Sequence, residues 1–233
     1  MTQSHTWKTE SLRLSLLGIA DGSKLSWKSI VGHEPESQTS RPAQSVTIEE
    51  GPFEGGKLTV TSQPGRLDVT LSAIPVDPMS SPTLGKFEEV SKNFEYHVSR
   101  IRLPAATRLA MGATMHVFVG DLRESAELFK TLVGIDFGPD ASDLSVQVNR
   151  PKKFPKIGGL VMNRLSKWSQ LVHQSIQYQV GDAVTATQEH VIQLELDFNT
   201  HPQSKLPHPD GYANIISPFF SEARLLIGDD ANG

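Results

Sequence analysis

With 233 residues, 37% of them hydrophobic and 21% charged, the chain is long enough to bury a core as one large domain or two small ones without covalent staples. It contains no cysteine, which excludes disulfides, thiolate catalysis and Cys-ligated zinc. A formal charge of −4 and a pI near 6.1 argue against a dedicated duplex-DNA coat protein, whose footprint is basicity over the whole domain.

No apolar run approaches the ~20 residues of a membrane span. Residues 1–10 are polar and hold no apolar signal core, so the expectation is a cytoplasmic protein with no membrane partner. Residues 11–17 alternate, with Leu12, Leu14 and Leu16 in one phase, and read as a half-buried strand. Residues 32–45 are rich in Ser, Pro, Glu and Gln. They read as a long loop and the best candidate for local disorder. Gly55-Gly56 opens strands 57–62 and 66–73, which turn at Pro64-Gly65. Pro75, Pro78 and Pro82 close this stretch. They leave a β-rich part, 1–80, and a main α+β part, 81–233, as two units or one continuous domain.

From Thr83 the period changes. Phe87, Val90, Phe94, Val98 and Ile101 fall on one helical face, and Pro104 stops the helix. Residues 107–119 alternate again. Leu109, Met111, Ala113, Met115, Val117 and Val119 lie opposite the small Ala110, Gly112 and Thr114, which predicts a central strand covered on both faces. Asp121 and Glu124 have capping-box spacing ahead of a helix with Leu128, Phe129 and Leu132 inward, ended by Gly134. Strands follow at 144–149, 167–180 and 191–198, and a last helix at 213–227 contains Pro218. No internal repeat is visible. The fold class expected is α+β, a mostly antiparallel sheet with about three helices packed on one face and a polar face opposite.

Residues 144–181 hold Arg150, Lys152, Lys153, Lys156, Arg164 and Lys167 and not one Asp or Glu, although the whole chain is acidic. Such a segment is a candidate contact for phosphate or an acidic partner. The outward phase of the last strands is rich in amides and hydroxyls: Gln147, Asn149, Ser169, His173, Gln193. These groups suit a hydrogen-bonding interface because they avoid the desolvation cost of a full charge. With a loop at 181–189, the last hairpin pairs residues whose numbers sum to 370. That sets His173 opposite Asp197 and favours the charged imidazole. Phe154 and Trp168 are candidates for base stacking, although Trp168 has core parity.

Asp197, His201, His208 and Asp210 are ligand types for zinc or manganese within one Pro-rich stretch, where surface loop residues are the simpler reading. No Gly-x-Ser-x-Gly elbow or phosphate-binding glycine loop is present, so no catalytic residue is assigned.

The strings Val148-Asn149-Arg150-Pro151, Met162-Asn163-Arg164-Leu165-Ser166-Lys167-Trp168 and Leu194-Glu195-Leu196-Asp197-Phe198-Asn199-Thr200, with the aromatic pair Phe219-Phe220, resemble an uncharacterised family of bacterial proteins with sporadic distribution. The resemblance covers about residues 46–227. It implies a bacterial protein and, by that distribution, an association with antiviral defence. The family has no established catalytic residues, so it implies no site residue here. The expectation is a non-enzymatic binding protein without a cofactor, a subunit of a larger assembly. It would meet an acidic partner through the polar sheet face and the basic residues Arg150, Lys152, Lys153, Lys156, Arg164 and Lys167, with His173. Another protein subunit is the first partner expected, and a homo-oligomer is compatible. The alternatives are a nucleic-acid-binding accessory protein and a metal-dependent hydrolase using loop 197–210.

Overall fold

A computed structural model describes residues 5–229 apart from 21, 24, 76–79, 155–156 and 179–183, with the side chains of these except 175–178, 184–187 and 229. Strand β1 (Lys8–Leu17) leads to helix α1 (Trp27–Val31), strands β2 (Ser37–Arg41), β3 (Val46–Phe53), β4 (Gly56–Gln63) and β5 (Arg66–Ser72), and helix α2 (Phe87–Val98). Then come β6 (Arg108–Val119), α3 (Leu122–Val133), β7 (Ser145–Asn149), β8 (Lys152–Lys153), β9 (Val161–Tyr178), β10 (Val184–Thr200) and α4 (Ala213–Asp229). The strands form one antiparallel sheet in the order β2-β3-β4-β5-β1-β6-β10-β9-β7, with β8 beside β9. The architecture is α+β, as the periodicity predicts, with four helices among the described residues. None is long and apolar enough to cross a membrane.

The order conceals a duplication. Each half is a strand, a helix, three strands that pack back beside the first, and a closing helix: β1-α1-β3-β4-β5-α2, then β6-α3-β7-β9-β10-α4. In both, the first strand pairs with the last, and the two first strands pair with each other at the centre of the sheet. An antiparallel pair places equivalent elements about a two-fold axis normal to the sheet, so the halves are pseudo-symmetric. The repeat is topological and leaves no period in the sequence.

The core lies between one sheet face and the helices. Leu12, Leu14 and Leu16 meet Val69 and Leu71 on one side and Leu109, Met111 and Ala113 on the other, and all are buried. Helices α2 and α4 lie side by side over the centre. Phe94 and Phe220 meet edge to face at 6.0 Å, and Arg224 bonds Glu95 at 2.8 Å. Helix α3 packs on β9 and β10, where Gln170 donates to Ser125 Oγ at 2.8 Å. Asp121 Oδ1 caps α3 by accepting from the Glu124 N–H at 2.8 Å. Helix α1 sits on β3 because residue 51 is glycine: a Cβ there would stand 2.7 Å from Trp27 Cζ2. Glu49 Oε2 accepts the Trp27 N–H, a carboxylate at a helix start.

Several expectations change. The stretch read as a loop, 32–45, contains edge strand β2, and β3 follows it. Every residue of β2 is exposed, so neither face imposes an apolar phase by which a strand is recognised. Helix α2 ends at Val98, well before Pro104. On the small phase of β6 Ala110 is buried, but Gly112 and Thr114 are only half-buried. Strands β9 and β10 begin earlier than expected, and their register pairs Tyr178 with Val184 and His173 with Glu189, so Asp197 lies opposite Leu165 instead. The parity is right, since odd residues still share a face, but the register is displaced towards the start of β10.

Candidate functional site on the uncovered sheet face

Helices cover one face of the sheet, and the other carries the polar phase of every central strand. Thr70, Arg13, Gly112, Asp197 and Leu165 are successive neighbours across β5, β1, β6, β10 and β9. Beside them run Ser72, Ser11, Thr114, Glu195, Lys167 and Gln147. These two rows line most of a depression of about 480 Å³.

Its charged groups other than Arg13 are held within the chain, and a second polar cluster lies beside it. Lys167 Nζ pairs with Glu195 Oε1 at 2.8 Å. Asp197 Oδ1 accepts from Asn199 Nδ2 at 3.0 Å, and Asn199 Oδ1 accepts from Asn163 Nδ2 at 3.1 Å and Arg108 Nη2 at 2.9 Å. Asp68 accepts from Ser15 Oγ at 2.5 Å and Arg66 Nε at 2.7 Å. That bond, with the Asp68 and Asp197 charges, raises the Arg66 pKa further above its ordinary value. Arg13 differs. Among the described residues its guanidinium has neither a hydrogen bond nor an ion pair, and it lies across Gly112, where a Cβ would be 3.3 Å from Nη2. An exposed cation without a partner among the described residues, beside two carboxylates on a hydroxyl-lined floor, is available to a carboxylate from outside.

At the far end of this face Ser81 Oγ lies 2.8 Å from His173 Nδ1 and 3.5 Å from Glu189 Oε2. The carboxylate reaches the hydroxyl and not the imidazole, unlike a relay that orients a histidine to activate serine. His116 is buried nearby with Nε2 unpartnered. Burial, with the charges of His173 and Lys8, pushes its pKa down to about 4.

The structure does not bring the basic residues together. Arg164 and Lys152 belong to the helix side and share Glu222 of α4, at 2.6 and 2.5 Å. Lys167 projects from the open face. Arg150 and Lys153 are exposed at the β7–β8 margin without ion pairs among the described residues. Lys156 lies outside the described residues, as do Gln179 and the side chains of Ser175 and Gln177. Alternate residues of a strand point to opposite faces, so cations at 164 and 167 are separated by the sheet itself. Glu222 is nearly buried, with its side chain 12% exposed, and Glu222→Gln is expected to lower stability by about 1–2 kcal/mol in urea unfolding. An unchanged midpoint would show that the two cations are held by something else.

Phe154 and Trp168 are buried, Phe154 against Phe219, so neither offers a stacking face. The proposed metal ligands are dispersed. Asp197 is in the depression, His201 Nδ1 accepts the Gln203 N–H at 3.2 Å, and His208 pairs with Asp210 at 3.1 Å. Among the described residues no three carboxylates or histidines are placed to hold a metal. The reading of residues 144–181 missed Arg13. Its signal was present in the polar phase of β1, Ser11, Arg13 and Ser15, opposite the leucines.

No protein-family model matches the chain, and no curated protein matches it as a relative, so the uncovered face and its unpaired arginine are what any functional reading must start from.

Proposed function

We propose that this chain is a non-enzymatic binding subunit that docks a protein partner on its uncovered sheet face. The partner presents a carboxylate to Arg13 and polar groups to the hydroxyls and amides around it. The observation that carries this reading is the guanidinium of Arg13, which has no partner among the described residues on a platform whose other charges are largely satisfied within the chain. Burying an unpaired cation is costly, so such a group favours a partner that supplies the missing anion. The resemblance to a sporadic bacterial family supports membership of a larger, defence-associated assembly. The platform fits the many phosphates of a nucleic acid poorly, because Glu195 and Asp197 balance Arg13 and Lys167 there and the aromatic candidates are buried.

The test is co-purification from the native host followed by titration of the captured protein. Arg13→Glu is expected to weaken association by about tenfold or more with an unchanged circular dichroism spectrum. Arg123→Glu, on α3 at the helix side, is expected to leave it intact. Association at undiminished strength with Arg13→Glu sinks the proposal. So does steeply salt-dependent binding of single-stranded oligonucleotides to this face.

A further inference from the structure

We propose that the free edge of β7 is a self-association site, and that two copies pair there antiparallel about Gln147. This goes beyond the docking platform and does not depend on it. Strand β7 ends the sheet, and its ladder with β9 shows which backbone groups are spare. The Gln170 N–H donates to Leu144 O at 2.8 Å, the Arg150 N–H to Arg164 O at 3.0 Å and the Phe154 N–H to Leu160 O at 3.0 Å. Even-numbered residues therefore face β9. The N–H and C=O groups of Ser145, Gln147 and Asn149 point outward, as alternation in an antiparallel ladder requires. Pro151 occupies the next outward position, where it gives up no internal bond but ends the usable edge.

An unpaired edge is a template for another strand, and here the flanks say which strand fits. Acidic residues precede β7 (Asp140, Asp143) and basic residues follow it (Arg150, Lys153). None of the four has an ion pair among the described residues. In an antiparallel pair centred on Gln147, Ser145 meets Asn149 of the second copy. The basic flank of each then runs beside the acidic flank of the other, Arg150 near the second Asp143 and Lys153 near the second Asp140. A parallel pairing would place like charges together. Register is limited as well, because only Ser145, Gln147 and Asn149 present outward N–H and C=O groups, so slipping by one residue would break the intermolecular ladder. The other edge, β2, is exposed on both faces and has no apolar phase to set a register. The two-fold axis is normal to the sheet, so both uncovered faces look the same way and become one platform.

Sedimentation across a concentration series is expected to show the 25.5 kDa chain doubling in mass, with hydrogen exchange slowing at the amides of Ser145, Gln147 and Asn149. Gln147→Pro removes two intermolecular bonds and no internal one, and is expected to weaken the dimer by about tenfold or more while preserving the circular dichroism spectrum. Lys153→Asp and Asp140→Lys should each weaken it, and the double variant should restore it. A monomer at every concentration overturns the proposal. So does a dimer that Gln147→Pro leaves unchanged, or a charge swap that fails to restore association.

Discussion

Phe220→Ala is expected to lower stability by about 3–5 kcal/mol, the range for removing a buried aromatic ring. The melting midpoint should fall by roughly 10 °C for a chain of this size. Phe220 is fully buried on α4 and meets Phe94 of α2 edge to face, so the substitution opens a cavity where the closing helices of the two halves touch. The β1–β6 ladder joins the halves below this seam, and the Arg224–Glu95 pair joins them above it. The loss should therefore appear as one cooperative transition moved to lower temperature. Two resolved transitions in calorimetry would mean that the halves unfold independently and that the seam couples them weakly.

The second large effect is a dependence on pH that His116 introduces. Its ring stands edge to face with Phe118 at 4.8 Å, and Nε2 is buried without a hydrogen-bond partner among the described residues. Burial is the main reason its pKa falls from 6.5 to about 4, and His173 and Lys8 add to it. Because the folded value is the lower one, protonation favours the unfolded chain. Above the unfolded pKa the imidazole is neutral in both states and its contribution is constant. As the pH falls from about 6.5 towards 4 the unfolded chain takes up the proton first and stability is lost, and below about 4 the difference is flat. With allowance for solvent screening the loss is about 2 kcal/mol. Urea unfolding of the wild type and His116→Leu at a series of pH values isolates it, because the other titrating groups are common to both. A stability difference that does not change across this window would show that His116 is charged in the folded protein or solvated there.

What the sequence by itself determined is the set of elements that bury one side. The leucine phase of β1, the alternation in β5, the stripe of α2 and the Asp121 cap were legible because burial on one face imposes a period within a single element. The α+β class followed from that succession. The tertiary structure alone decided what depends on partners elsewhere in the chain. Strands β2 and β3 were missed because their polar residues are recognisable as strands only by the neighbours they pair with. The register of β9 on β10 moved because it is set by where the turn falls, while parity constrains only which face each residue takes. The basic run looked like one surface in sequence and is split by the sheet, with Glu222 of the last helix holding two of its members. Arg13 and Asp197 flank Gly112 on one face because the two first strands of the pseudo-symmetric halves pair at the centre, a juxtaposition of distant segments for which no local signal exists.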